Sequence, residues 1–264
     1  MELLKINEFI NGNVDKIYDE MVKIRRTIHE NPELGDEEIE TSKLIKKFLT
    51  ENGIEFSEII NTGVVATIYN DKENMKNKTV ATRADIDALP IFEENEVEYK
   101  SKNIGKMHAC GHDAHTTIQL GVAKILADNK DKWNGTVRFF FQPAEETTGG
   151  ADRMIKDGAL KFENDTNRKI DAFFALHMAP EIELGKIGIK YGKAHASSAR
   201  IHLTINGTSA HAALPHKGVD AILIGAKVME FLQSIVSRRI DPREESVITI
   251  GAFNGGFADN VVCD

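Results

Sequence analysis

Apolar positions recur at helical spacing through the first fifty residues. Ile17, Met21, Ile24 and Ile28 share one face of a segment predicted to be helical over 14–30, with Pro32 as its stop. Ile39, Leu44, Ile45 and Phe48 do the same over 36–52, where Gly53 ends the second helix. Short apolar or β-branched runs then alternate with helical stretches. Strands are predicted at 63–68, 79–82, 136–141 and 172–176, and helices at about 114–127 and 151–156. Alternation of this kind predicts an α/β sheet with helices on both faces.

The pattern changes near residue 195. Positions 198–205 set Ala199, Ile201, Leu203 and Ile205 against polar partners, which predicts a half-exposed strand. A helix over about 219–237 and a strand over 246–252 follow. This β-α-β order predicts the first half of a small α+β domain. The expected division is a domain over 1–190 and a partial one over 195–264, joined by the glycine-containing segment 185–197.

Composition excludes several classes. With 41% hydrophobic and 28% charged residues the chain has enough apolar side chains for a core, so disorder is excluded. The net charge is -8, and Lys and Arg are interleaved with acids, so no basic face for nucleic acid is expected. No apolar run predicts a membrane span, and the first residues lack the pattern of a signal peptide. Two cysteines, Cys110 and Cys263, make no disulfide framework, so a reducing, cytoplasmic location is expected.

Four polar clusters border the predicted strands. They are Arg83-Ala84-Asp85-Ile86-Asp87, His108-Ala109-Cys110-Gly111-His112-Asp113-Ala114-His115, Gln142-Pro143-Ala144-Glu145-Glu146, and His177-Met178-Ala179-Pro180. In open α/β sheets ligands bind beyond the carboxyl ends of strands. A thiol, imidazoles and carboxylates are donors suited to zinc or a neighbouring first-row metal. Adjacent carboxylates such as Glu145 and Glu146 repel unless a cation lies between them, and they can divide labour between binding metal and moving a proton. Each residue also fits a plainer role. Cys110 can be a packed small residue, His112 and the glutamates can start helices, His177 can be a hydrogen-bonded core residue, and Asp85 and Asp87 can cap or turn. Arg83 calls for a carboxylate partner. His29, His195 and His202 read as structural or surface residues.

In order and combination these stretches, with Ala88-Leu89-Pro90, Leu176-His177-Met178 and Gly207-Thr208-Ser209-Ala210-His211-Ala212-Ala213-Leu214-Pro215-His216, resemble the metallopeptidases that include aminoacylase and carboxypeptidase G-type enzymes. Within them the sequence is similar to the amidohydrolase subgroup of hippurate hydrolases, N-acetyl-diaminopimelate deacetylases and auxin–amino acid conjugate hydrolases. The resemblance implies a zinc-peptidase-like mixed sheet, a lid domain that dimerises, and hydrolysis of the amide bond of N-acyl amino acids. It implies two divalent metal ions per subunit, zinc first, with manganese, cobalt or nickel as alternatives. Cys110 would bridge them, with His112, Glu146 and His177 as further ligands. Glu145 would be the general base and then the general acid, and Asp85 a supporting aspartate. His211 would hold the oxyanion in the partner subunit of a homodimer, and Asn260 would contact substrate across the same dimer. Family members also carry a final His ligand in a region beyond position 264, so the resemblance implies an incomplete enzyme, with an inactive metal-binding or dimerising remnant as one alternative. An aminopeptidase or carboxypeptidase on the same scaffold is the other alternative.

Overall fold

Helix α1 (Leu3–Glu30) is longer than its apolar pattern predicts. Ile17 and Ile28 are buried while Ile10 and Val14 are exposed, so the early turns have no packed face to mark them in the sequence. The second helix, α2 (Ile39–Glu51), lies within its predicted span. The computed structural model describes residues 3–73, 77–162, 167–192, 197 and 199–264. They divide into two compact units, Met1–Glu181 and Ile182–Asp264.

The first unit is built on one mixed sheet. Its strands are β1 (Glu55–Ile59), β2 (Gly63–Asn70), β3 (Thr79–Asp85), β4 (Gly135–Gln142) and β5 (Ala172–Ala175), in the order β1-β2-β4-β3-β5. β2 pairs antiparallel with both β1 and β4, whereas β3 pairs parallel with β4 and β5. A run of apolar residues places β4 in the middle, covered on both faces. Phe139 and Phe141 pack with Ile45 and Leu49 of α2 and with Leu120 and Ala123 of α3 (His112–Asp128). Phe140 points the other way, into a cluster with Val65, Ala81 and Met154 of α4 (Gly150–Lys156). Helices therefore cover both faces, as the alternating pattern predicted. β1 escaped the sequence reading. Only Phe56 and Ile59 of Glu55–Ile59 are partly buried, and their spacing of three is not a strand period.

Register decides where the chemistry collects. Asp85 lies opposite Gln142, and Arg83 lies opposite both Phe140 and Ala175. The three parallel strands thus finish close together, and the turns after them carry Asp87, Glu145, Glu146 and His177.

In the second unit α5 (Ala221–Arg238) starts at Asp220, whose carboxylate accepts the Leu223 amide at 2.9 Å. A short antiparallel ladder joins β6 (Ala210–His211) to β7 (Val261–Val262). The strands expected at 198–205 and 246–252 carry no ladder among the described residues, and Ser198 and His195 lie outside them. Alternation supplies a strand with an apolar face, but a strand also needs a neighbour for its N–H and C=O groups. Ile201 and Val247 instead remain 85% and 86% exposed.

Candidate metal centre

The centre is built around His112, the first residue of α3 and almost wholly buried. Its Nδ1 lies 2.8 Å from the carbonyl oxygen of Asp87, which only accepts, so Nδ1 carries the proton and Nε2 is turned toward the other donors. Nε2 lies 3.4 Å from Asp85 Oδ2 and 3.9 Å from Glu146 Oε1. His177 is fixed in the same way. Its Nδ1 donates to Met178 O at 2.6 Å, and its Nε2 lies 3.4 Å from Cys110 Sγ.

Three groups of donor atoms lie within 4.8 Å of one another: Cys110, His112 and His177; His112, Glu145 and Glu146; and Asp85, His112 and His115. The first two share His112 and gather Cys110, Glu145, Glu146 and His177 in one place. Their electrostatics fit a cation. Burial, then the neighbouring Glu146, push the Cys110 thiol up to about 12. Burial and the charge of Glu146 likewise raise Glu145. The Cys110 thiol and the Glu145 carboxyl are thus costly to ionise side by side, and a divalent ion would favour their ionised forms.

Asp85 sits one layer further out. Burial pushes its carboxyl up, but the hydrogen bond from His115 and the charges of His112 and Arg83 outweigh it and hold the group at about 2. Arg83 has the carboxylate it needs, donating from Nη1 to Asp85 at 2.6 Å and from Nε to Gln142 at 2.8 Å. His115 is committed on both sides, donating from Nδ1 to Asp85 at 2.5 Å and accepting the Met178 amide at Nε2, 2.8 Å away.

Asp87 does more than cap or turn. Its Oδ2 accepts the amide of Glu146 at 3.0 Å and its Oδ1 lies 3.3 Å from His112 Nδ1, so it ties the two site turns together. Its spacing from Asp85 was the available signal, and nothing in that spacing names partners 25 and 59 residues away. Of the histidines expected to be structural or on the surface, His29 is structural, buried between Asp113 and Glu93. His202 is exposed. In the second unit His211 and Asn260 are brought together. The amide of Ala212 donates to Asn260 O at 3.0 Å, and both side chains are exposed.

Thiol, imidazole and carboxylate donors gathered beyond the carboxyl ends of parallel strands in a mixed α/β sheet define the architecture of a metallopeptidase. The chain belongs to peptidase family M20/M25/M40, whose sequence profile matches residues 81–256. It is 42% identical to an N-acetyl-L-cysteine deacetylase of Bacillus subtilis, over 100% of this chain and 61% of that protein. It is 44% identical to an IAA-amino acid hydrolase of Arabidopsis thaliana, over 95% of this chain and 55% of that protein. The fold matches the crystal structure of a dinuclear metal-binding M20 peptidase of Bacillus subtilis with a TM-score of 0.67 and 32% identity, covering 95% of this chain and 62% of the other. The chain thus spans 55–62% of the length of these relatives.

Proposed function

We propose that this protein hydrolyses the amide bond of N-acyl amino acids at a centre for two divalent metal ions, zinc first among the candidates. The observation that carries the reading is the pair of donor groups sharing His112, one completed by Cys110 and His177 and the other by Glu145 and Glu146. The two curated relatives described above support the substrate class, one being named a deacetylase of N-acetyl-L-cysteine and the other a hydrolase of IAA-amino acids. Cys110, His112, Glu146 and His177 would hold the metals, and the M20 neighbour supports a dinuclear arrangement. Bound divalent ions supply polarisation of the scissile carbonyl and a lowered pKa for water at the site.

The chain's own residues do the rest. The proton bonds to Asp87 O and Met178 O keep His112 and His177 in the tautomer that offers Nε2. Glu145 takes a proton from the attacking water and returns it to the departing nitrogen. Its raised pKa, from burial and from Glu146, suits a group that must do both. Asp85 fixes His115, which in turn holds the Met178 amide beside His177. The first unit is the catalytic domain in this reading and the second is part of a lid through which two copies pair. His211 from the partner copy would stabilise the oxyanion, and the neighbouring Asn260 would contact substrate. Both cysteines are free thiols, which suits a reducing cytoplasm. No helix among the described residues is long and apolar enough to cross a membrane.

The test falls on Glu145. Glu145→Gln should keep its metal content, measured on the dialysed protein, and lose turnover of N-acetyl amino acids by ~10²-fold or more, the scale of general acid–base catalysis. Unimpaired turnover in that variant refutes the assignment.

A further inference from the structure

The segment between α1 and α2 grips both turns that carry site carboxylates. Glu33 O accepts the amide of Ala88 at 2.8 Å, and Leu34 bridges to the same residue, directly after Asp87. Asp36 accepts hydrogen bonds from Thr148 at 2.9 Å and Arg153 at 2.7 Å, beyond the Glu145-Glu146 pair. Glu38 makes the central link. Its side chain is completely buried; Oε1 accepts the amide of Ala144 at 2.8 Å and Oε2 accepts the hydroxyl of Thr62 at 2.8 Å.

Ala144 itself is unusual. Its φ is +51°, in the left-handed region that a residue with a Cβ holds only when its surroundings enforce it. The enclosure is tight. A Cβ on Gly35 would stand 2.3 Å from Thr147 Oγ1 and 3.1 Å from Ala144 Cα, and one on Gly150 would stand 1.8 Å from Pro143 O. The turn at 143–147 is thus packed against Gly35 and Gly150 with no room for a side chain on either glycine, and a buried carboxylate is the acceptor for the Ala144 amide at its centre. An apolar residue at position 38 would leave that amide without a partner.

We propose that Glu38 is a positioning residue: it holds Ala144 in its left-handed conformation and so aims Glu145 and Glu146 at their separate tasks. The proposal rests on the roles given above to these two glutamates. The reach is wide, because the turn at Ala144 decides where both following side chains project. A displacement of about 1 Å at a reacting group is enough to cost ~10²-fold in rate.

The experiment compares Glu38→Ala, Glu38→Gln and Glu38→Asp in the purified protein, with Glu145→Gln beside them. Glutamine keeps an oxygen for the Ala144 amide and can donate to Thr62. Aspartate keeps the charge but is one methylene too short. Glu38→Ala and Glu38→Asp should lower kcat by ~10²-fold with KM changed by less than about threefold, and Glu38→Gln should stay near the parent. Amide hydrogen exchange at Ala144 should lose protection in the Ala and Asp variants and keep it in the Gln variant, whatever the activity. Adding Ala144→Gly to Glu38→Ala, which makes the left-handed conformation freely accessible, should restore part of kcat. Should Glu38→Ala fail to fold, the Gln and Asp variants decide alone. Equal activity in those two, better activity in the Asp variant, or unchanged exchange at Ala144 overturns the proposal. Full turnover by Glu145→Gln strikes instead at the functional reading, and the exchange result still judges the clamp.

Discussion

The ring of His29 lies between two carboxylates, with Nδ1 2.8 Å from Asp113 and Nε2 3.1 Å from Glu93. Each nitrogen can serve its neighbour only by donating, so the arrangement calls for the protonated imidazole. The hydrogen bond to Asp113 raises its pKa, burial opposes, and Glu93 adds to the rise. Arg25, which also reaches Asp113 at 2.7 Å, the ring of His108 and the edge of Tyr99 complete its surroundings. A group whose pKa is raised on folding lends stability that is full below its unfolded value near 6.5 and is lost as pH climbs through the higher folded value. Thermal unfolding followed from pH 6 upward should show a decline that His29→Gln flattens. Identical slopes in the two proteins would remove His29 as the cause. Asp113 stays ionised through the same contacts, which hold it below the usual carboxylate range despite burial.

Among the elements, the junction into α3 shows how closely two site segments approach. Gly111 caps the helix at φ +83°, and a Cβ there would lie 2.9 Å from Met178 Cβ. Gly111→Ala combines a left-handed strain of about 1–2 kcal/mol with this collision. It should lower the urea midpoint and weaken metal uptake, because Cys110 and His177 are driven apart; an unchanged midpoint with full metal content would contradict this. The elements were largely legible from spacing. Phe139, Phe140 and Phe141 announce a strand buried on both faces, and Ile45 and Phe48 announce the inner face of α2. β1 was hidden by two glutamates and a three-residue apolar spacing. The segments 198–205 and 246–252 were over-read, since alternation reports a face and not a partner. The same limit governs the site. Cys110, His112, Glu145, Glu146 and His177 stand out by residue type beside strand ends. Asp87, His115 and Glu38 act through hydrogen bonds to distant residues, which spacing along the chain does not encode.

For the whole molecule, the proposed delivery of His211 by a second copy makes a prediction about mixtures. Glu145→Gln and His211→Ala should each be inactive alone. Unfolded together and refolded, they should regain about a quarter of the parental activity, since random pairing makes about half the dimers mixed and one site in each mixed dimer whole. No recovery from a mixture that demonstrably contains mixed dimers would sink the shared site. The clamp on Ala144 also bears on how the molecule assembles. It joins residues 106 positions apart, whereas β2 meets β4 through Val64 and Phe141. Once that pairing exists, only the chain from Glu38 to Val64 remains to be closed, and the entropic cost of the last step is small. Before it exists, Glu38 has nothing to hold. The centre should therefore form late in folding. A refolding chain should acquire its sheet first and its metal-binding turn afterwards, with a lag between the recovery of circular dichroism and that of metal uptake.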